Sequence, residues 1–196
     1  MPALLPAELA WYVTGRFYQV EPDGPVADYG YFLHLPFLDV PLFDGKRSEG
    51  TAHFTFAAEP FQTHGVTNGG LQLGVDPVGE FSLYLQREPA GTFDDPDSFA
   101  RGERIATFRR ASLVVGTTVT GPDGAKSVPL VGSNVFSARL VDSTPFDFAG
   151  GRHDVAEHLG GGVTQFGTAA GTPIAPTPQG FTLVVPFTGS AIALGR

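Results

Sequence analysis

The sequence predicts an all-β protein and, within that class, a single-domain antiparallel β-barrel of about eight or nine strands. The chain contains 26 glycines and 17 prolines, which interrupt it at short and fairly regular intervals. The runs between them are rich in β-branched and aromatic residues, and helical periodicity is nearly absent. Such runs between turn-forming residues are typical of barrels and sandwiches. A β-sandwich is therefore the alternative fold.

The first predicted strands lie in the N-terminal half of the chain. Residues 8–20 and 31–38 are two largely apolar runs, and the second is apolar on both faces. Residues 51–57 (TAHFTFA) and 80–86 (EFSLYLQ) alternate between large apolar side chains and others. Because successive side chains of a strand point to opposite faces, each of these two runs has one face suited to a core.

The C-terminal half continues this pattern. Residues 109–141 are predicted to contain two strands joined at GPDG, residues 121–124, which is a strong turn sequence. The Gly- and Pro-rich residues 167–180 predict a long loop, and such loops often have binding roles. Residues 181–187 (FTLVVPF) alternate again and predict the last strand.

One short helix is predicted near residues 154–159, within the sequence GRHDVAEHLGGG. Asp154 is a good N-cap, and the glycines that follow end the helix. The i,i+4 spacing pairs His153 with Glu157 and Asp154 with His158. We interpret the segment as a short helical plug or lid whose charged groups pair internally. A catalytic acid/base pair and a metal ligand are the alternatives.

A closed barrel is favoured over a sandwich because closure leaves no exposed strand edges. No change of composition and no internal repeat divides the chain, so residues 1–196 are predicted to form one barrel domain. In its general pattern of short strands, the chain is similar to calycin-like and allene-oxide-cyclase-like barrels. This resemblance concerns the fold alone and implies no activity, because no motif of either group is found in the sequence.

The charge of the chain argues against a nucleic-acid partner. The net charge is −8 and the pI is about 4.9, whereas affinity for nucleic acid comes mostly from neutralising phosphates. Arg101, Arg104, Arg109 and Arg110 form the one basic cluster, which we interpret as the solvated edge of a strand. The chain has no cysteine, which excludes disulfides, thiolate catalysis and Cys-ligated zinc.

No membrane span is expected, because no run approaches the roughly 18 apolar residues that a transmembrane helix needs. Residues 1–11 lack the charged region and the long apolar run of a signal peptide. A soluble protein is therefore predicted, and a cytoplasmic location is favoured over a secreted one. A homodimer is kept as an open alternative.

Three histidines lie in or near predicted strands. His34 has apolar neighbours on both sides, which predicts either a satisfied core histidine or one that lines a cavity. His53 shares a strand face with Thr51 and Thr55, a face that is either solvated or a polar part of the barrel interior. His64 lies in a predicted turn and is expected to be solvated.

The aromatic content suggests what the barrel interior does. The chain has 17 phenylalanines, five tyrosines and one tryptophan, many of them in predicted strands. Small barrels either fill their interior with side chains or hold one small ligand, and aromatic walls suit an apolar one. The candidate ligand-binding residues are Trp11, Phe32, Phe54, Phe56, Phe81 and Phe108.

Three functions follow as hypotheses. The first is binding of a small hydrophobic molecule in an aromatic-lined barrel cavity. The second is a cofactor-free isomerase, cyclase or lyase acting on such a molecule through acid/base catalysis and substrate positioning. The third is a non-catalytic interaction module. The candidate catalytic residues of the second hypothesis are His34, His53, Tyr31, Tyr84, His158 and Asp154.

No metal and no cofactor is predicted. Asp94, Asp95 and Asp97 surround a proline, but the ligand spacing of an EF-hand calcium loop is missing. A solvated, capped turn is expected there instead.

Overall fold

The computed structural model describes residues 3–22, 24–61, 64–68, 71–76, 79–111, 114–120 and 129–195. Within these residues the chain forms 13 strands, one α-helix (α1, Val155–Leu159) and two short 3-10 helices (Glu49–Thr51 and Pro96–Ala100). The strands are β1 (Leu9–Gln19), β2 (Val26–His34), β3 (Phe54–Ala58), β4 (His64–Asn68), β5 (Leu71–Asp76), β6 (Glu80–Leu85), β7 (Glu103–Arg110), β8 (Val114–Thr120), β9 (Pro129–Ser143), β10 (Phe146–Phe148), β11 (Gly151–His153), β12 (Gly162–Ala169) and β13 (Leu183–Ala193).

Eight of these strands close into an antiparallel barrel, in the order β12-β13-β1-β2-β3-β6-β7-β9. The barrel closes where β12 pairs with β9, from Gly162 opposite Arg139 to Ala169 opposite Gly132. Strands β8, β5 and β4 continue the sheet beyond the N-terminal part of β9. The predicted antiparallel β-barrel with one short helix is confirmed.

The barrel has two distinct ends. We call the end at which β1 and β12 begin and β2 ends the helix end, because α1 directly precedes β12. We call the opposite end, at which β1 ends and β2 begins, the cavity end, because a cavity inside the barrel lies towards it. All eight strands run between these ends, so a residue's position along its strand shows which end it lies near.

The alternation predicted from the sequence is visible in the burial of each strand. In β6, Phe81, Leu83 and Leu85 are buried, and the residues between them are half-buried. In β1, Trp11 and Val13 are buried, and the side chain between them is exposed. The buried set forms one continuous core inside the barrel, because each of the eight barrel strands contributes one face to it.

Glycines on the inner face make room for aromatic rings. Gly15 of β1 lies directly opposite Gly30 of β2. A Cβ at Gly15 would lie 2.9 Å from Phe187 Cζ, and a Cβ at Gly30 would lie 2.7 Å from Phe56 Cζ. Both distances are shorter than van der Waals contact between carbon atoms. The missing Cβ atoms therefore allow these two rings to fill the barrel.

The helix end is closed by the chain after β2 and by α1. Residues 35–42 contribute four buried apolar side chains to the core, and α1 contributes Val155 and Leu159. The Asp154 carboxylate accepts a hydrogen bond from Ala156 N at 2.9 Å, and Gly160 caps the other end of α1. The predicted capped helix is confirmed, and it packs against the barrel core.

Residues 92–101 cover the outer face of β1, β2 and β3. Tyr18 of β1 donates a hydrogen bond to the Phe93 carbonyl at 2.8 Å, and Thr55 of β3 donates one to the Phe99 carbonyl at 2.6 Å. Phe93 and Phe99 are buried in a second apolar cluster with Tyr18 and Val184. The neighbouring aspartates are exposed or half-buried, as the sequence predicts.

Several predicted boundaries differ from the structure. The expected loop at 167–180 begins later, because β12 continues to Ala169, and the last strand runs from Leu183 to Ala193. His64 begins strand β4 rather than lying in a turn, because residues 64–68 pair with residues 71–75 of β5. The predicted turn at 121–124 lies outside the described residues.

Candidate functional site

A cavity lies inside the barrel, towards the cavity end. Its volume is about 40 Å³, which is room for a few water molecules or one small chemical group. Seven of its twelve lining residues are aromatic. The lining residues are Trp11, Val13, Phe17, Asp28, Phe32, Phe56, Phe81, Arg110, Asn134, Phe136, Gln165 and Phe187.

Two charged side chains face each other across this aromatic cavity. Asp28, near the start of β2, and Arg110, the last residue of β7, form an ion pair with Oδ2 and Nη2 3.7 Å apart. The side chain of Arg110 is 2% exposed and that of Asp28 is 13% exposed. The pair is therefore largely removed from water, in an environment where both charges are costly to bury.

Aromatic rings surround the Arg110 guanidinium. Its central carbon lies 4.8 Å from the centroid of the Phe61 ring and 5.1 Å from that of Phe136. A guanidinium at these distances is attracted by the negative faces of the rings. Phe61 follows β3 and bridges to Val26 at the start of β2, so the chain after β3 covers Arg110 at the cavity end.

The protonation of Asp28 responds to two opposing effects. Burial raises the pKa of the Asp28 carboxyl above its ordinary value of 3.8, and the positive charge of Arg110 partly offsets this rise. Burial is the larger effect, since a carboxylate loses more solvation than one cation at 3.7 Å restores. Carboxyl groups with a raised pKa in a cavity are candidates for binding or proton transfer.

Two amide side chains complete the polar part of the cavity wall. Trp11 Nε1 donates a hydrogen bond to Gln165 Oε1 at 2.7 Å, which fixes the indole ring in the barrel. Asn134 Oδ1 is buried, and no described residue donates a hydrogen bond to it. A buried carbonyl oxygen without a donor is unfavourable by about 1–3 kcal/mol, so this atom is suited to accept from a bound molecule.

The interpretation of the arginine cluster is wrong for one member. Arg101, Arg104 and Arg109 are exposed, and Arg109 pairs with Glu80 on the outer face at 2.6 Å. Arg110 points into the barrel and is buried, because it alternates with Arg109 and shares the inner face with Phe108. The alternation of Phe108, Arg109 and Arg110 is the sequence feature that could have predicted the inward orientation of Arg110.

The six predicted ligand-binding aromatic residues are buried in the barrel core. Trp11, Phe32, Phe56 and Phe81 line the cavity. Phe54 and Phe108 are buried in the core but do not line the cavity. Sequence reasoning missed Phe17, Phe136 and Phe187 on this wall, together with the four polar residues Asp28, Arg110, Asn134 and Gln165.

The predicted catalytic residues of the strands do not meet at one point. His34 is exposed at the helix end of β2, so the expectation that it is buried is wrong. His53 is half-buried, and its Nδ1 donates to the Gln86 carbonyl at 2.9 Å because a carbonyl can only accept. Tyr31 and Tyr84 lie on the outer face on either side of Thr55.

The predicted pairing of Asp154 with His158 is wrong. Asp154 Oδ1 instead accepts hydrogen bonds from Ala156 N at 2.9 Å and from Ser143 Oγ at 2.5 Å. The His158 ring is 5% exposed and stacks on Phe37, with centroids 4.8 Å apart and planes at 19°. Neither ring nitrogen has a hydrogen-bond partner among the described residues. The His158 ring therefore packs like an apolar side chain among the residues that close the helix end.

We expect His158 to make the protein less stable in acid. Burial lowers the pKa of His158 below its ordinary value of 6.5, and the nearby His153 lowers it further. Below pH 6.5 the unfolded chain takes up a proton that the folded chain does not, so stability decreases as the pH falls towards the folded pKa. Protonation of this one residue can change the free energy of unfolding by at most about 1.4 kcal/mol per pH unit.

The measurement is urea unfolding of the protein and of His158→Phe at pH 7.5, 6.5 and 5.5. Phenylalanine keeps a planar ring against Phe37 and cannot be protonated. The variant should therefore lose less stability than the wild type over this range. Equal losses in the two proteins would show that His158 is not the source.

A larger groove of about 670 Å³ lies outside the barrel, beside the β1–β2 connection and residues 94–97. It is lined partly by Tyr18, Tyr29 and Phe181. The Tyr29 hydroxyl donates a hydrogen bond to Asp97 Oδ1 at 3.2 Å. Unlike the barrel cavity, this groove is not lined by Trp11, so tryptophan fluorescence can distinguish binding at the two places.

Comparison of the chain with family models, with curated proteins and with solved structures finds no match. Among the helices in the described part of the chain, none has the length and apolar character needed to cross a membrane. Within the same residues, no group of three or more His, Asp or Glu side chains is arranged to hold a metal ion.

Proposed function

We propose that the protein binds a small apolar molecule inside the cavity end of its β-barrel. The observation that supports this most directly is the cavity itself, whose wall is mostly aromatic and includes a buried ion pair. Ligand sites typically combine apolar walls with a few polar groups that orient the ligand. The closed barrel provides such a wall, because eight strands direct side chains to one interior.

The cavity volume limits the ligand. Pockets for drug-sized molecules have volumes of roughly 300–1,000 Å³, far above the 40 Å³ found between these side chains. Phe17 and Phe136 are only half-buried where the wall approaches the cavity end. The ligand is therefore a small one, which enters by displacing these two rings and places one group deep in the cavity.

Toluene is a suitable first probe, because it is neutral, apolar and close in size to one phenylalanine side chain. We expect it to raise the melting temperature and to change the emission of Trp11, the single tryptophan of the chain. Its dissociation constant should be below 1 mM, corresponding to a binding free energy of about −4 kcal/mol or better.

Two variants at one position and an outer-face control test where toluene binds. Phe136→Ala enlarges the cavity and should strengthen binding several-fold, whereas Phe136→Trp fills it and should weaken binding. Phe166→Ala removes an exposed ring of β12 and should leave binding unchanged, since Phe166 is 46% exposed. The proposal fails if toluene changes neither the melting temperature nor Trp11 emission in the wild type and in Phe136→Ala.

A further inference from the structure

We propose that the natural ligand of the barrel cavity carries a hydroxyl group, which donates a hydrogen bond to Asn134 Oδ1. The ligand is then a small apolar alcohol or phenol rather than a hydrocarbon. This inference rests on the proposed binding function and specifies the chemical class of the ligand. It follows from the unpaired oxygen of Asn134, from the glycines beside it and from the hydrogen bonds of the neighbouring Gln165.

The first argument is the unpaired oxygen of Asn134. Asn134 lies in the part of β9 that pairs with both β8 and β12, and its side chain lines the cavity. Its Oδ1 is buried, and no group in the described part of the chain donates a hydrogen bond to it. An amide oxygen accepts hydrogen bonds from water when it is exposed, so its burial without a donor is unfavourable. A ligand hydroxyl can supply the missing donor.

The second argument is that glycines make room for two amide side chains on one side of the cavity. Asn134 lies directly opposite Gly167 of β12, and Gly167 lies opposite Gly189 of β13. A Cβ at Gly167 would lie 2.7 Å from Asn134 Oδ1, and a Cβ at Gly189 would approach Gln165 Nε2 more closely still. Both distances are shorter than van der Waals contact. The missing Cβ atoms therefore allow both amides to lie against the backbone and to face the cavity.

The third argument is the set of hydrogen bonds that Gln165 already makes. The indole N–H of Trp11 can only donate, so its bond of 2.7 Å identifies the Gln165 atom as the oxygen and fixes the orientation of this amide. Gln165 Nε2 carries two N–H donors, and its contact with the Phe166 carbonyl is long, at 3.4 Å. Of the two amide oxygens in the cavity wall, that of Gln165 therefore has a donor and that of Asn134 has none.

A hydroxyl group fits this pair of amides, because it can donate one hydrogen bond and accept others. It can donate to Asn134 Oδ1 while its oxygen accepts from Gln165 Nε2. An ether oxygen has no donor for Asn134, and an ammonium group has no acceptor for Gln165. A hydroxyl also provides both functions with a single heavy atom, which suits a cavity of about 40 Å³.

Toluene, phenol and anisole provide the test, because they share one ring and differ in hydrogen bonding. Phenol has a hydroxyl in place of the methyl group of toluene, and anisole has an acceptor oxygen without a donor. Their binding at neutral pH is measured by calorimetry and by the melting temperature. Phenol should bind about tenfold more tightly than toluene or anisole, as expected for one net hydrogen bond. A wholly apolar cavity would instead favour toluene, because burying an unpaired hydroxyl is unfavourable.

Two variants test whether Asn134 is the acceptor. Asn134→Leu replaces the amide with an apolar side chain of similar size, and it should bind toluene at least as tightly as phenol. Gly167→Ala keeps Asn134, but its Cβ displaces the amide, so the preference for phenol should again be lost. The matched control is Val135→Ala, because Val135 is the next residue of β9 and is 39% exposed. This control should keep the preference of the wild type.

The outcomes separate this inference from the proposed function. If toluene binds but phenol binds no better, or if anisole binds as tightly as phenol, the inference is wrong and the proposed function stands. If Asn134→Leu and Gly167→Ala both keep the preference for phenol, another acceptor such as Asp28 receives the hydroxyl, and the inference is wrong. If none of the three compounds binds to the wild type or to Phe136→Ala, both the inference and the proposed function are wrong.

Discussion

Replacing Phe108 by alanine is expected to lower the free energy of unfolding by about 3–5 kcal/mol. Phe108 is fully buried and stacks on Phe81, with ring centroids 5.1 Å apart and planes at 5°. Trp11 meets the Phe108 ring edge-on, with centroids 5.5 Å apart. Truncation removes the burial of a whole ring and leaves a cavity that the surrounding strands cannot fill, because their hydrogen bonds fix the barrel diameter.

Urea unfolding followed by far-UV circular dichroism and by Trp11 emission measures this loss. The matched control is Phe166→Ala, which truncates the same residue type on the outer face of the barrel, where it is 46% exposed. Phe166→Ala should change the free energy of unfolding by no more than about 0.5 kcal/mol, as most surface substitutions do. Similar losses in the two variants would contradict the assignment of Phe108 to the packed interior.

The second large effect is expected for Arg110→Met. Removing one partner of a buried ion pair typically lowers stability by about 3–5 kcal/mol, because the other charge is left buried and uncompensated. Arg110 lowers the pKa of Asp28, so its loss leaves only the effect of burial, which raises it. The stability contributed by a raised pKa is fully present below the ordinary value of 3.8 and is lost as the pH rises through the folded pKa.

The destabilisation of Arg110→Met relative to the wild type should therefore be larger at pH 8 than at pH 5. Unfolding in urea at the two pH values measures it. The double variant Asp28→Leu/Arg110→Met replaces both charges with apolar groups and should recover most of the loss, as replacements of whole buried pairs often do. An equal loss at both pH values, or no recovery in the double variant, would show that an uncompensated Asp28 is not the cause.

Much of the fold follows from local patterns in the sequence. The alternation in EFSLYLQ predicts which residues of β6 face the core, and it does so correctly because the pleat of a strand has a period of two. Asp154 and the glycines after Leu159 predict the bounds of α1, because caps satisfy backbone groups only a few residues away. In both cases the interactions that decide the structure are close together in the chain.

Local sequence patterns did not predict the surroundings of two histidines correctly. His34 has apolar neighbours in sequence, yet it is exposed, because β2 ends there and its neighbours Leu35 and Phe37 turn into the barrel. The i,i+4 spacing predicts that His158 pairs with Asp154, but that carboxylate instead accepts a hydrogen bond from Ser143 of β9 at 2.5 Å. The exposure of His34 and the surroundings of His158 both depend on contacts between different structural elements, which a local pattern does not contain.

Local sequence patterns correctly predict the β class, the inner face of several strands and the short capped helix, since each depends on a repeat or a cap within a few residues. The candidate site, in contrast, depends on contacts between distant parts of the chain. Asp28, Arg110, Asn134 and Gln165 come from four strands, and they share one cavity because β12 pairs with β9 and closes the sheet. Closure depends on pairing between residues far apart in the chain. The local alternation in β7 can therefore place Arg110 on the inner face, but it cannot show that Arg110 meets Asp28.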